Sequence, residues 1–158
     1  MQEAMDMRGQ LTISLTDRDG QTIYERTHRN KIVKAGRQLV AQLFGGITVG
    51  TPPSKVTHMG IGTDATAEND DQVDLGAPRA RNPITAVSYT EVSEGGVKRI
   101  KASLQTVFDF GEGNGPAPLR EAGIFTAGTG GVMYNRVVFA DVTKNNTFKL
   151  TLIWDIVF

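Results

Sequence analysis

Apolar and polar residues alternate most regularly at the end of the chain. Phe148, Leu150, Leu152, Trp154, Ile156 and Phe158 take every second position, with Lys149, Thr151, Ile153, Asp155 and Val157 between them. A period of two puts each set on its own face of a strand. The unbroken apolar set predicts a core strand over 147–158 that completes a sheet. Leu11, Ile13 and Leu15 alternate in the same way with Thr12, Ser14 and Thr16. The turn residues Asp17-Arg18-Asp19-Gly20 and a returning strand over 22–26 make 10–28 a predicted hairpin. Further strands are expected over 56–61, 84–92, 97–110, 119–125 and 132–139. Ser93-Glu94-Gly95-Gly96 folds 84–92 back onto 97–110, where Ile100, Ala102, Leu104, Thr106, Phe108 and Phe110 share a face.

One segment has a helical period instead. Ile32, Gly36, Leu39, Val40 and Leu43 gather on one side of a helix near residues 31–44, with Asn30 as the expected N-cap and Gly45-Gly46 as the stop. A glycine inside a helix costs about 1 kcal/mol relative to alanine, so Gly36 is expected to mark a close helix–sheet contact. Lys34, Arg37 and Gln42 lie on the opposite face and are assigned to solvent. The fold class that follows is mainly β (α+β): an antiparallel β-sandwich of about eight strands with this one helix. Residues 1–9 read as a flexible N-terminal arm and 10–158 as a single β-rich domain. The polar, acidic stretch 62–78 is long enough to be expected mobile, or ordered only by a neighbouring subunit.

Composition narrows the functional classes. Lysine plus arginine and aspartate plus glutamate balance at 17 each, so no global field draws nucleic acid or an anionic membrane. A chain near zero net charge associates more readily than it repels. It contains no cysteine, which excludes disulfides, iron–sulfur clusters and thiolate chemistry and fits cytoplasmic synthesis. The first residues lack the basic-then-apolar order of a signal peptide, and no apolar run approaches the ~20 residues that span a bilayer, so a soluble protein is expected.

Candidate chemistry is thin. Gly60-Ile61-Gly62-Thr63-Asp64-Ala65 matches the Gly-x-Gly-x-x-Ala form of a dinucleotide turn, but that mechanism needs a helix N-terminus next, and an acidic stretch follows. A tight turn leaving a strand is the better expectation. Asp64, Glu68, Asp70, Asp71 and Asp74 lack the alternate spacing of a calcium loop and read as solvated. His28 and His58 have no second histidine at ligand or triad spacing, and there is no Gly-x-Ser-x-Gly elbow. Glu121, set among apolar residues, is either a general acid or base with a raised pKa or a carboxylate partnered by Arg120, Arg136 or Arg79. A lone carboxylate lacks the second group of acid–base hydrolysis, which favours the structural role. Arg26, His28, Arg29, Lys31, Lys34 and Arg37 cluster near the helix start with only Tyr24 as an aromatic neighbour, which a solvated face explains as well as phosphate contacts do. No catalytic, cofactor-binding or metal-ligating residue is assigned, and no enzyme activity or cofactor is expected.

The order of short motifs is more informative than any one of them. Lys31-Ile32-Val33-Lys34-Ala35-Gly36-Arg37 opens the helix, and Val56-Thr57-His58-Met59-Gly60-Ile61-Gly62-Thr63 ends in a glycine turn. The polar loop and a region with Leu75, Arg79, Arg81 and Ile84 follow, then an alternating strand, then Leu119-Arg120-Glu121-Ala122-Gly123-Ile124-Phe125. Over residues 30–140 this order resembles the N-terminal attachment region of phage tail-collar and tail-fibre proteins. It departs from that pattern at Gly62-Thr63-Asp64, which lacks the second glycine of many members, and at Phe158, where many members continue into a long fibre. The resemblance implies a structural component of a phage virion or related contractile particle, as a tail, baseplate or collar adaptor or in fibre attachment. It implies assembly in the host bacterial cytoplasm, other virion proteins as partners, and a homo-oligomer such as a trimer or hexameric ring, without membrane or nucleic acid. It carries across no catalytic residue. The alternatives are a small β-rich carbohydrate-binding module or hydrolase using Glu121 and the acidic loop, and a nucleic-acid-binding accessory protein using the basic helix.

Overall fold

A computed structural model describes residues 7–158. Within them the chain runs β1 (Arg8–Thr16), β2 (Thr22–Arg29), β3 (Lys31–Ile32), α1 (Lys34–Gly45), β4 (His58–Gly62), β5 (Pro78–Pro83), β6 (Ala86–Glu94), β7 (Val97–Phe108), β8 (Leu119–Phe125), β9 (Met133–Val142) and β10 (Lys149–Val157). The strands form two five-stranded antiparallel sheets, ordered β2-β1-β10-β7-β6 and β3-β9-β8-β4-β5. The architecture is the antiparallel sandwich with one helix that the periodicity predicts. Two strands are additional to the expected eight. β3 is only two residues long, and β5 reads Pro-Arg-Ala-Arg-Asn-Pro, whose prolines argue against a strand until it is placed at a sheet edge.

The C-terminal strand sits at the centre of its sheet because its apolar face has neighbours on both sides. Trp154 lies in register with Leu11 on β1 and Leu104 on β7, and Leu152 with Ile13 and Thr106. Leu150, Leu152, Trp154 and Ile156 are all buried, and they meet Met59, Ile61, Ala122, Ile124 and Val137 of the facing sheet in one core. Trp154 also donates its indole Nε1–H to Asn30 Oδ1 at 2.6 Å. That contact corrects the expected helix cap. The N-cap is Val33, which offers no side-chain bond, and the Lys34 amide donates instead to the Asp70 carbonyl at 3.0 Å.

Helix α1 packs against β9. Gly36 meets the expectation set for it, since a Cβ there would collide with the Tyr134 carbonyl. Gly36 and Leu39 are buried, whereas Leu43, expected on the buried face, is 48 % exposed. At the other end of the chain β1 already begins at Arg8, inside the expected arm, and residues 1–6 of that arm lie outside the described residues.

Truncating Trp154 to alanine removes the largest buried side chain of the core and leaves Asn30 Oδ1 without its donor. The expected loss is ~3–5 kcal/mol in urea denaturation. A loss below ~1 kcal/mol would mean that β10 is not a core strand in solution.

Candidate functional site

The most polar interior of the molecule lies on the outer face of the second sheet, beneath residues 62–78. Strand β8 carries Ala122 and Ile124 toward the sandwich core and Glu121 and Phe125 toward the other side. Neighbouring β9 places Arg136 beside Glu121, and both side chains are fully buried. Arg136 Nε donates to Glu121 Oε2 at 2.8 Å. The rest of the Glu121 carboxylate is filled by backbone: Gly76 N–H at 2.9 Å on Oε2, and Ala77 N–H at 2.8 Å and Asp64 N–H at 3.3 Å on Oε1. The guanidinium continues outward to the Thr66 carbonyl at 2.8 Å, Gln72 Oε1 at 3.2 Å and Asp64 Oδ2 at 3.1 Å. A buried charge is tolerable only when paired and fully hydrogen-bonded, and this pair satisfies both conditions.

The same contacts tie the acidic stretch to the sheet from within the subunit. Glu68 accepts from the Val138 amide at 2.8 Å. Arg37 makes a two-pronged pair with Asp70 at 3.0 and 2.9 Å, and Lys34 pairs with Asp71 at 2.5 Å. Arg81 reaches Asp74 at 3.2 Å and stacks its guanidinium 3.4 Å from the centre of the Phe125 ring. Lys34 and Arg37 are exposed, as the helical pattern assigns them, and at that surface they pair with the acidic stretch. Lys34 and Arg37 of the basic cluster thus meet Asp71 and Asp70 of the acidic run. The pKa values follow: the hydrogen bond from Arg37 holds the Asp70 carboxyl below its ordinary value, and the Thr66 hydroxyl, with Arg136 behind it, does the same for Asp64.

The remaining sequence candidates are also placed. Gly62 is required because a Cβ there would enter the Glu121 carboxylate, so the Gly60–Ala65 motif makes room for a buried anion of the protein itself. His28 packs on Phe139 with ring centres 5.8 Å apart, and burial, helped by Arg26, lowers its pKa. His58 shares a 2.8 Å contact between Nδ1 and the Thr57 hydroxyl, in the other sheet. Among the described residues no group of three or more acidic or histidine side chains converges as a cation site. Of the three arginines considered for Glu121, Arg136 is the partner; Arg120 pairs with Asp141 and Arg79 reaches the Ala117 carbonyl. One buried charge gave no signal in the sequence. Lys144 donates to the Asp109 carbonyl, Asn114 Oδ1 and the Asn145 carbonyl at 3.0, 2.7 and 3.2 Å, and burial lowers its pKa.

Two hollows open at the surface. A cavity of about 580 Å³ near the start of β1 is bordered by Arg8, Arg29, Lys101, Glu94 and Asp155. Its carboxylates are already paired, Glu94 with Arg8 and Arg99, and Asp155 with Lys101 at 4.0 Å. A smaller groove of about 230 Å³ is apolar and runs between α1 and the β6–β7 side of the first sheet, past Leu43, Val56, Tyr89 and Phe158. Compared with protein-family models, curated proteins and solved structures, the chain matches none.

Arg136→Met should cost about 3–5 kcal/mol, because it strands a buried carboxylate. Replacing both members, as Glu121→Leu with Arg136→Met, should be milder than the sum of the single losses, read from the same denaturation curves. The pH dependence has a definite sign. Aspartates held low in the folded state stabilise it above the ordinary value of 3.8, and that contribution is lost as the pH falls through 3.8 and below. The urea midpoint should thus drop between pH 5 and pH 3, and Asp70→Asn should flatten the drop. An unchanged slope in that variant would remove Asp70 from the account.

Proposed function

We propose that the chain is a structural subunit of a phage virion or related contractile particle, in its tail, baseplate or collar, working by interface burial. The observation that carries this reading is a division of labour between polar and apolar groups. The charges that the sequence offers for chemistry are engaged with one another: Glu121 with Arg136 inside the fold, and the acidic stretch with the basic helix start in ion pairs at the surface. The exposed surface meanwhile carries large apolar side chains along one groove, with Tyr89 at 72 % exposure and Leu43 and Phe158 half-exposed. Exposed apolar groups grouped around a groove mark surfaces that other proteins cover.

The motif order of the tail-collar resemblance adds support, because its motifs meet in one packed unit. Gly36 of the helix abuts Tyr134, Gly62 of the glycine turn abuts Glu121, and Leu119–Phe125 forms β8 between β4 and β9. A carbohydrate-binding or hydrolytic role would need Glu121 free to reach a ligand, and four donors already hold it.

Particles purified from the lysate of a host that carries the gene, stained negatively and labelled with gold-coupled antibody against this chain, test the reading. Label should fall at a fixed place on the tail, baseplate or collar. Unlabelled particles, with the protein left in the soluble fraction, would overturn it.

A further inference from the structure

A sandwich of two open sheets has four edges, and each presents unpaired amides and carbonyls that must be blunted or covered. Three edges here carry a recognisable protection. β2 holds Glu25, Arg26, His28 and Arg29; β3 is two residues long; β5 has prolines at both ends and arginines at 79 and 81. β6 has none of these. Residues 84–90, Ile-Thr-Ala-Val-Ser-Tyr-Thr, bear no charge, and the two acids that follow are held within the subunit, Glu91 by Lys98 and Glu94 by Arg8 and Arg99.

The face of β6 is as bare as its edge. Val87 pairs with Leu104 and Tyr89 with Ala102, and those residues pair with Trp154 and Ile156, so Val87 and Tyr89 point to the core side of the sheet. The facing sheet does not reach them: Val87 is 51 % and Tyr89 72 % exposed, beside half-exposed Ile100, Phe158 and Leu43 along the apolar groove.

We propose that β6 is the docking edge for a second copy of this chain, paired antiparallel about a two-fold axis at Ser88, so that two five-stranded sheets become one of ten. The strand is complementary to itself in that register. Val87 of one copy lies beside Tyr89 of the other, Ala86 beside Thr90, and Ser88 beside Ser88. Glu91 faces Thr85, so no like charges meet, and a net charge of zero leaves the copies without long-range repulsion. Val87 and Tyr89 on β6, with Ile100, Phe158 and Leu43 on the apolar face behind it, expose on the order of 500 Å² per copy, more than half of the roughly 800 Å² per partner of a standard interface. Pairing of the strand backbones adds to this. The contact is isologous, as in most dimers, and in a ring-forming protein it would join two rings face to face. It rests on the β6 edge and the bare apolar face beside it, and stands whether or not the chain belongs to a virion.

Sedimentation of the purified full chain at micromolar concentration should give a dimer. Val87→Lys places a charge on an already exposed position, and it should weaken dimerisation by about tenfold or more while leaving the far-UV circular dichroism of the folded chain unchanged. Because the chain has no cysteine, Ser88→Cys should yield a disulfide-linked dimer under mild oxidation, far faster than Thr27→Cys on the charged edge strand β2. A wild-type chain that stays monomeric, with Ser88→Cys no faster to cross-link than Thr27→Cys, would overturn the proposal. So would a dimer that Val87→Lys leaves intact, which would assign the contact to another surface.

Discussion

Glu121 is a carboxylate without access to water, and much of the second sheet's outer side is arranged to make that tolerable. An isolated buried carboxylate would cost several kcal/mol, more than any single contact on that face could supply. The fold answers with one guanidinium and three backbone amides. The amides come from Asp64, Gly76 and Ala77, so meeting the carboxylate's demand draws both ends of the stretch 62–78 down onto the sheet. Arg136 then needs acceptors of its own and takes them from the middle of the same stretch, at Thr66 and Gln72. A segment with little apolar content is held in place by the charge it covers. Val33, Leu75, Phe125 and Met133 form a small second core nearby, which the covering segment keeps dry.

This dependence explains why the glycines of the Gly60–Ala65 motif resemble a ligand-binding turn. Close approach of backbone to an anion demands the absence of a Cβ whether the anion is a phosphate or a side chain of the same protein. At Gly62 the anion is Glu121. The sequence alone could not distinguish the two cases, because the partner sits fifty-nine positions away on another strand.

Local pattern made most of the fold legible. The alternation from Phe148 onward specified a buried strand, and the 3.6-residue period around Leu39 specified the helix. What stayed hidden was pairing across long separations. Arg37 and Asp70 carry no sign in the sequence that they pair, and of the three arginines open to Glu121 only the sheet order selects Arg136. Asn30 looked like a helix cap because its type and place were right, yet Trp154 claims its oxygen from the far end of the chain. β5 was missed for a related reason: its prolines are unsuited to an interior strand and well suited to an edge, and edge position is a property of topology. Lys144 was silent because the ammonium ends on three uncharged oxygens, two of them backbone carbonyls that no residue type announces.

The two halves of the sandwich thus treat their outer boundaries differently. The second sheet closes itself: a covering segment shields one face, prolines blunt one edge and a two-residue strand ends the other. The first sheet is closed on its β2 side by charge and left open on its β6 side, where the apolar inner face runs past the facing sheet. Apolar surface left in water forgoes about 25 cal/mol for each Å² that could be buried. An uncharged strand edge adds unpaired backbone groups to that unrealised stabilisation. A chain that neutralises a single buried carboxylate with four donors, yet leaves Val87 and Tyr89 uncovered beside a free edge, is balanced as a monomer only on one side. The physical completion of the other side is another strand.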